Sequence, residues 1–406
     1  YHRPRGLLCG SGNCPNCLMT VDGIPNVRAC TMKVQAGMKV KRQNAWPSVD
    51  HDFGSLLNRM DRFLPVGFYY KVFHRPKVLW EIVRPIMRRI AGLGQVDVTS
   101  DGGPMYSHVN AQTYLAVIGG GPAGMTAALT AAEAGLDVTL IDSEPVLGGH
   151  LLYDTTRYVG VDGLEDGTGQ EIAASLRQRI LRHDGIRVLS NAHAFGAYQG
   201  NLIAVRQEYK MIQLRAGRVV MATGAIETPL QFENNDLPGV MLASGALRIA
   251  NLYGVSPGKR TVVATANDSG YTAALRLLDS GVEIVALVDS RPEPTSTEVV
   301  AAVREAGVEV LLGHRILSAS GRKHVSRIIV AAPDSSERDL KCDLVCMAGV
   351  SQPSTGLLLQ QPGAVVVYDE ELGASVPVRL PVDVQVAGDI TGFDDLRIVV
   401  AQGAAV

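Results

Sequence analysis

LAVIGGGPAGMTAALTAAEAGLDVTLID, residues 115–142, decides the fold. An apolar run over residues 114–118 reads as a buried parallel strand. Three glycines follow at G-x-G-x-x-G spacing: Gly119, Gly121 and Gly124, with Pro122 and Ala123 between the last two. An Ala-rich helix pattern over residues 125–134 closes on Gly135, and a second strand pattern over 137–141 ends on Asp142. In such a unit one glycine makes the tight turn. Another lets a pyrophosphate approach the backbone, and the third lets helix pack closely on strand. The helix N-terminus turns free N–H groups and a positive dipole end toward the phosphates. Asp142 follows Gly119 by 23 residues, where a carboxylate can hydrogen-bond a ribose, and Ser143 stands beside it. Glycines alone are a weak signal. Strand, helix, second strand and acid together predict a dinucleotide site.

Further along, Gly148 and Gly149 mark a second close backbone approach, and the lone His150 reads as structural. Residues 172–181 have the pattern of an amphipathic helix, and residues 187–215 that of an antiparallel meander. RVVMATGA, residues 218–225, is a strand followed by the turn Thr223-Gly224, which in two-dinucleotide flavoprotein folds returns the chain beside the cofactor. In VQVAGDITG, residues 384–392, a strand ends in Gly388-Asp389, and an Asp at this place in such folds bonds a ribityl chain. The helix that follows, from Arg397, aims its N-terminus at the same place. These turns favour FAD as the dinucleotide, with NAD the alternative at the same site.

Residues 261–289 repeat the strand-turn-helix-strand rhythm, but Thr265 and Asn267 stand where the first two glycines belong and only Gly270 matches. A Cβ at those places blocks a pyrophosphate, so this copy is expected to bind nothing tightly and Asp289 to be a surface acid. Cys342 and Cys346 sit in a strand pattern and read as core cysteines.

The first residues carry a second strong pattern. Cys9, Cys14, Cys17 and Cys30 have C-x4-C-x2-C-x12-C spacing, the plant-type [2Fe–2S] arrangement. Small residues 10–13 let a loop wrap such a cluster, and Cys30 would come from across a hairpin turning at Asp22-Gly23. Zinc is the main rival, although zinc sites usually pair two C-x2-C knuckles; disulfides come third. Eight residues precede Cys9, fewer than the strands of a ferredoxin fold need.

Between these signals, residues 43–112 show no fold of their own. Trp46, Phe63, Phe68, Tyr69, Tyr70, Phe73 and Trp80 are interleaved with Arg59, Arg62, Lys71, Arg75, Lys77, Arg84, Arg88 and Arg89. Such mixtures can bind single-stranded nucleic acid, but the preferred reading is a packed connector or subunit contact. Residues 95–113 read as a linker.

The chain has 406 residues, 46% hydrophobic and 19% charged, with net charge −2. That suggests two or three domains and argues against nucleic acid or an anionic membrane as partner. Residues 115–132 are uncharged, yet their Gly-Gly-Gly-Pro break fits a Rossmann turn better than a membrane span. With no signal peptide visible, a cytoplasmic protein is expected. A start at Tyr1 and an end inside a helix pattern suggest flanking sequence.

The fold class expected is α/β: a two-dinucleotide-binding-domain flavoprotein fold with Rossmann-like parallel sheets, preceded by a partial [2Fe–2S] ferredoxin-like segment. The expected divisions are residues 1–42 for that segment and 43–112 for the connector. Residues 113–256 form the FAD/NAD-binding domain, 257–350 the degenerate Rossmann domain, and 351–406 the return to the first.

YHRPRG at 1–6, QNAWPS at 43–48, GFYYKVF at 67–73, AGLG at 91–94, ATGAIETPLQFENNDLPGVMLA at 222–243 and ANDSGY at 266–271 carry a family resemblance. The chain resembles the α subunits of heterotetrameric sarcosine oxidase and its amine-oxidising relatives, including proline dehydrogenase, opine oxidase and cyanide synthase complexes. That resemblance implies further N-terminal ferredoxin-like sequence and, in the sarcosine oxidase form, a C-terminal aminomethyltransferase-like domain. It implies a partner β-type flavoprotein subunit that removes a hydride from a C–N bond, in the sarcosine oxidase form an FMN at the contact with that partner, and small γ and δ subunits in some forms. In the sarcosine oxidase form the Rossmann site holds NAD; in several relatives it holds FAD. All four cysteine ligands point to the cluster-bearing, dehydrogenase-like relatives. An electron-transfer, dinucleotide-binding subunit of an amine oxidoreductase is therefore expected, with no catalytic acid, base or nucleophile on this chain. The alternatives are a self-sufficient NAD(P)H-dependent flavin reductase and a non-catalytic nucleotide-binding scaffold.

Overall fold

A computed structural model describes residues 4–59, 67, 71, 75–90, 92, 94 and 105–406. Phe63, Phe68, Tyr69, Tyr70, Phe73 and Arg62 lie outside the described residues, as does most of the expected linker.

The first sheet is built on the strand Ser107–Ile118, whose last four residues are buried on both faces. Continuous apolar sequence there follows from parallel neighbours on either side. Val138–Ile141 pairs parallel on one edge and Lys210–Met221 on the other. Ile186–Leu189 extends the parallel side, and Val384–Val386 adds beside Lys210–Met221. Leu202–Gln207 and Ala192–Tyr198 complete an antiparallel meander. The helix Pro122–Glu133 follows the glycine turn, with Pro at its start, and its small side chains let it lie close on the sheet. The helix Leu396–Ala405 packs against it; a Cβ on Gly403 would collide with the Ala123 carbonyl.

The second sheet is wholly parallel, ordered Val240–Leu242, Leu344–Ala348, Arg260–Thr265, Glu283–Asp289, Glu309–Leu312. Helices Ala243–Tyr253, Ser269–Asp279 and Thr297–Glu305 cover it. The crossovers between the two sheets pair with each other, Ala225–Glu227 antiparallel to Ser351–Pro353. Ion pairs add to that tie. Arg276 reaches Asp154 at 2.9 Å, and Arg248 reaches Glu144 at 2.7 Å. Among the described residues, no helix is long and apolar enough to cross a membrane.

Four readings need correction. Residues 107–113, expected as linker, are strand, in parallel register with residues 210–216. Their polar SHVNAQT sequence hides this because most of these side chains face solvent. The expected meander splits at Asn191, whose φ of +49° bends the chain; Ile186–Leu189 belongs to the parallel core instead. The connector contains a helix, Lys77–Ile90, disguised by an internal Pro85. Asp289 is no surface acid. It is fully buried, accepts from Tyr271 Oη at 2.9 Å and pairs with Arg291 at 2.8 Å.

Candidate functional site: a dinucleotide cavity beside a cysteine loop

A cavity of about 800 Å³ opens at the end of the first sheet. Its wall gathers Gly119, Gly121, Pro122, Ala123, Asp142, Ser143, Gly149, Thr223, Gly224, Gly388 and Asp389 from four separate turns. Gly124 is not in the wall. A Cβ there would collide with the Gly119 carbonyl, and one on Gly119 with the Ala222 carbonyl. These two glycines set the spacing of helix and strands. Gly121 differs: a Cβ there would have only Gly149 Cα nearby, at 3.9 Å. The space beside it belongs to the cavity, so Gly121 is where a pyrophosphate would approach the backbone. Gly388, at φ +83°, turns under Ala123, where a Cβ would sit 2.9 Å from the Ala123 side chain.

Asp142 is held in the cavity wall by backbone amides. Its carboxylate accepts from the Gly120 amide and, at 2.6 Å, from the Glu144 amide. Burial pushes its pKa up against those two bonds. Asp389 is likewise raised by burial, with His150 Nδ1 at 3.9 Å pulling the other way. His150, expected as a structural rather than a catalytic residue, thus faces a cavity acid.

Two wall residues carried no expectation from the sequence. Glu227 follows Thr223-Gly224 by three residues and accepts from both the amide and the hydroxyl of Ser244, at 2.9 and 2.6 Å. Burial nevertheless pushes its carboxyl up to about 7. Arg248, the lone cation in an apolar helix, pairs with Glu144 and lies over the Tyr153 ring at 5.3 Å. Its Nε has no protein partner. A single Arg in LASGALRIANLY was the available signal.

Cys9 belongs to the same wall, together with Ser11 and Asn13. The hairpin Leu18–Val21 and Ile24–Arg28 turns at Asp22-Gly23, and Cys30 follows in the single turn Ala29–Thr31. All four cysteines are free thiols. Cys9 and Cys14 sulfurs lie 3.3 Å apart, and Cys30 bonds Cys9 and Cys17. The Cys9 thiol is held down by its contact with Cys30, whose own thiol is pushed up by the same contact. No three His, Cys, Asp or Glu among the described residues surround a single metal ion.

In the second copy of the nucleotide unit, the side chains of Thr265 and Asn267 bond backbone groups where glycines would stand. Thr265 Oγ1 bonds the Asn267 carbonyl at 2.7 Å and accepts the Asn267 amide at 3.1 Å. Asn267 Nδ2 donates to the Gly349 carbonyl at 3.0 Å. Gly270 leaves room for Thr265, not for a ligand. Cys342 and Cys346 are buried in the second core, as expected.

Residues 113–405 match the family profile described as pyridine nucleotide-disulphide oxidoreductase. The chain belongs to that family. Residues 1–45 match the profile described as 2Fe-2S iron-sulfur cluster binding domain. Together these matches indicate an FAD- or NAD-binding fold with a 2Fe-2S segment ahead of it; the open cradle at Gly121 and the four free cysteines, with Cys9 and Cys14 in sulfur contact, fit those groups. Among curated relatives, the alpha subunit of sarcosine oxidase from Rhizobium meliloti (strain 1021) is 36% identical over all of this chain. The chain spans 41% of that relative's length. An opine oxidase subunit of Agrobacterium tumefaciens (strain Ach5) is 26% identical, covering 74% of this chain and 64% of that one. In fold, the chain is similar to the crystal structure of L-proline dehydrogenase from P. horikoshii. That match has a TM-score of 0.67 and 21% identity, over 99% of this chain and 64% of the other. The resemblance expected from residues 222–243 and the other blocks is thus borne out by these relatives.

Proposed function

We propose that this chain is the electron-transfer, dinucleotide-binding subunit of a multi-subunit oxidoreductase acting on CH–NH donors, an N-methyl amino acid or an imino acid. One observation carries the reading: Cys9, Ser11 and Asn13 of the segment that holds the four free cysteines form part of the wall of the candidate dinucleotide cavity. A flavin bound there would exchange two electrons, and the cluster would pass them on singly. The chain's own part is to hold and orient. Gly121 and Gly149 admit the pyrophosphate, Asp142 and Ser143 face the ribose, and Thr223, Gly224, Gly388 and Asp389 line the remaining wall. FAD is the preferred occupant and NAD the alternative. The relatives named as oxidase subunits support a partner subunit; we take it to be a β-type flavoprotein that carries substrate oxidation, with an FMN at the contact, in a cytoplasmic complex.

The proposed divisions are residues 1–42, 43–106, 107–256, 257–350 and 351–406, the third beginning where the strand Ser107–Ile118 begins. The reductase alternative needs a working second nucleotide site, and the side-chain bonding at Thr265 and Asn267 counts against it. Cys14→Ser tests the two-module reading. In anaerobically purified protein the variant should lose the iron–sulfur bands and keep its nucleotide; joint loss of both would contradict the proposal.

A further inference from the structure

Residues 5–14 leave no slack between the cysteine loop and the cavity. Arg5 pairs with Asp236. A Cβ on Gly6 would stand 2.6 Å from Pro238 Cα. The Leu8 carbonyl accepts the Leu242 amide at 2.9 Å, directly before the helix Ala243–Tyr253. The third residue of that helix is Gly245. A Cβ there would meet the Leu8 carbonyl at 2.7 Å and the Cys9 carbonyl at 3.0 Å. Cys9, 3% exposed, is buried with Leu237, Val240 and Leu242.

Glycine inside a helix costs about 1 kcal/mol against alanine, so local helix stability does not explain Gly245. The contact does: two consecutive carbonyls of the cysteine loop rest where its side chain would be. We propose that Gly245 is the seat of the cluster-bearing loop. It is a positioning residue that makes the loop a fixed wall of the dinucleotide cavity, so that the cluster and the bound dinucleotide act on each other across that wall without a swing of the N-terminal segment. This rests on the reading that the cysteines hold a cluster and the cavity a dinucleotide.

Coupling between two sites is reciprocal and measurable. The full-length chain is loaded with cluster anaerobically and stripped of nucleotide. The cluster's EPR spectrum and midpoint are then recorded with the cavity empty and with FAD or NAD+ added. Loading should shift the spectrum and change the cluster's reduction equilibrium by about fivefold or more. Gly245→Ala should keep both groups and lose most of that change. Gly6→Ala, which presses on Pro238 away from the cysteines, should do the same and serves if the first variant folds poorly. A cluster whose spectrum and midpoint ignore cavity loading would overturn the proposal, as would full coupling in both variants. A wild-type chain with no cluster signal, or with no nucleotide retained on chromatography, would instead bring down the underlying reading, and this inference with it.

Discussion

Gly121 and Gly124 belong to one motif but differ in what a side chain would meet. Gly121 has an ordinary φ of −74° and open space beside it. Gly121→Val should therefore fold normally and fill the cavity instead, weakening nucleotide binding by about tenfold or more. Gly124→Ala must push the Gly119 carbonyl and should lower the melting temperature as well. Isothermal titration and thermal unfolding separate the two; equal loss of stability in both variants would contradict the assignment. Glu227 gives a pH signature. Its folded pKa, about 7, lies above the ordinary value of 4.5, so the folded state holds the extra proton between those values. Glu227's own contribution to stability is thus highest below 4.5, falls as pH rises, and is lower by about 3 kcal/mol above 7. Glu227→Gln should flatten that fall. Urea unfolding across this pH range checks it, and a parallel pH profile in the variant would refute the assignment.

At the scale of elements, the two dinucleotide units are locked through their helices. Arg276, on the helix Ser269–Asp279, reaches back to Asp154, whose side chain is 1% exposed, and to Thr156 Oγ1 at 2.8 Å. Asp154 also accepts from Tyr158 Oη at 2.7 Å. Removing one partner of a buried pair leaves an uncompensated charge and typically costs about 3–5 kcal/mol. Since Arg276 is 19% exposed, Arg276→Met should fall at the lower end. A urea midpoint equal to wild type would show that the lock contributes nothing. The strand Ser107–Ile118 is locked differently, by backbone register along its whole length with Lys210–Met221.

For the whole molecule, the legible parts were those where one residue type has one physical reason. The apolar run before Gly119, the glycine spacing and the turns at Thr223-Gly224 and Gly388-Asp389 all pointed to one cavity, and the structure brings them to it. The four cysteines were legible for the same reason. What escaped depended on distant partners. Residues 107–113 look like linker until residues 210–216 pair with them. Asp289 looks like a surface acid until Tyr271 and Arg291 close over it. Glu227 looks like loop polarity until Ser244, 17 residues on, bonds it twice. Gly245 carries no motif at all; only the docked carbonyls of Leu8 and Cys9 show its use.

The central claim is that one chain holds both a dinucleotide and a two-iron cluster for electron transfer. The most direct measurement is the visible spectrum of the anaerobically purified full-length protein, followed by chromatography of the nucleotide released on denaturation. Flavin absorbance overlaid by iron–sulfur bands that bleach on reduction is expected, with FAD in the released fraction. A protein without iron–sulfur bands after reconstitution, or one that releases no dinucleotide, would contradict the claim.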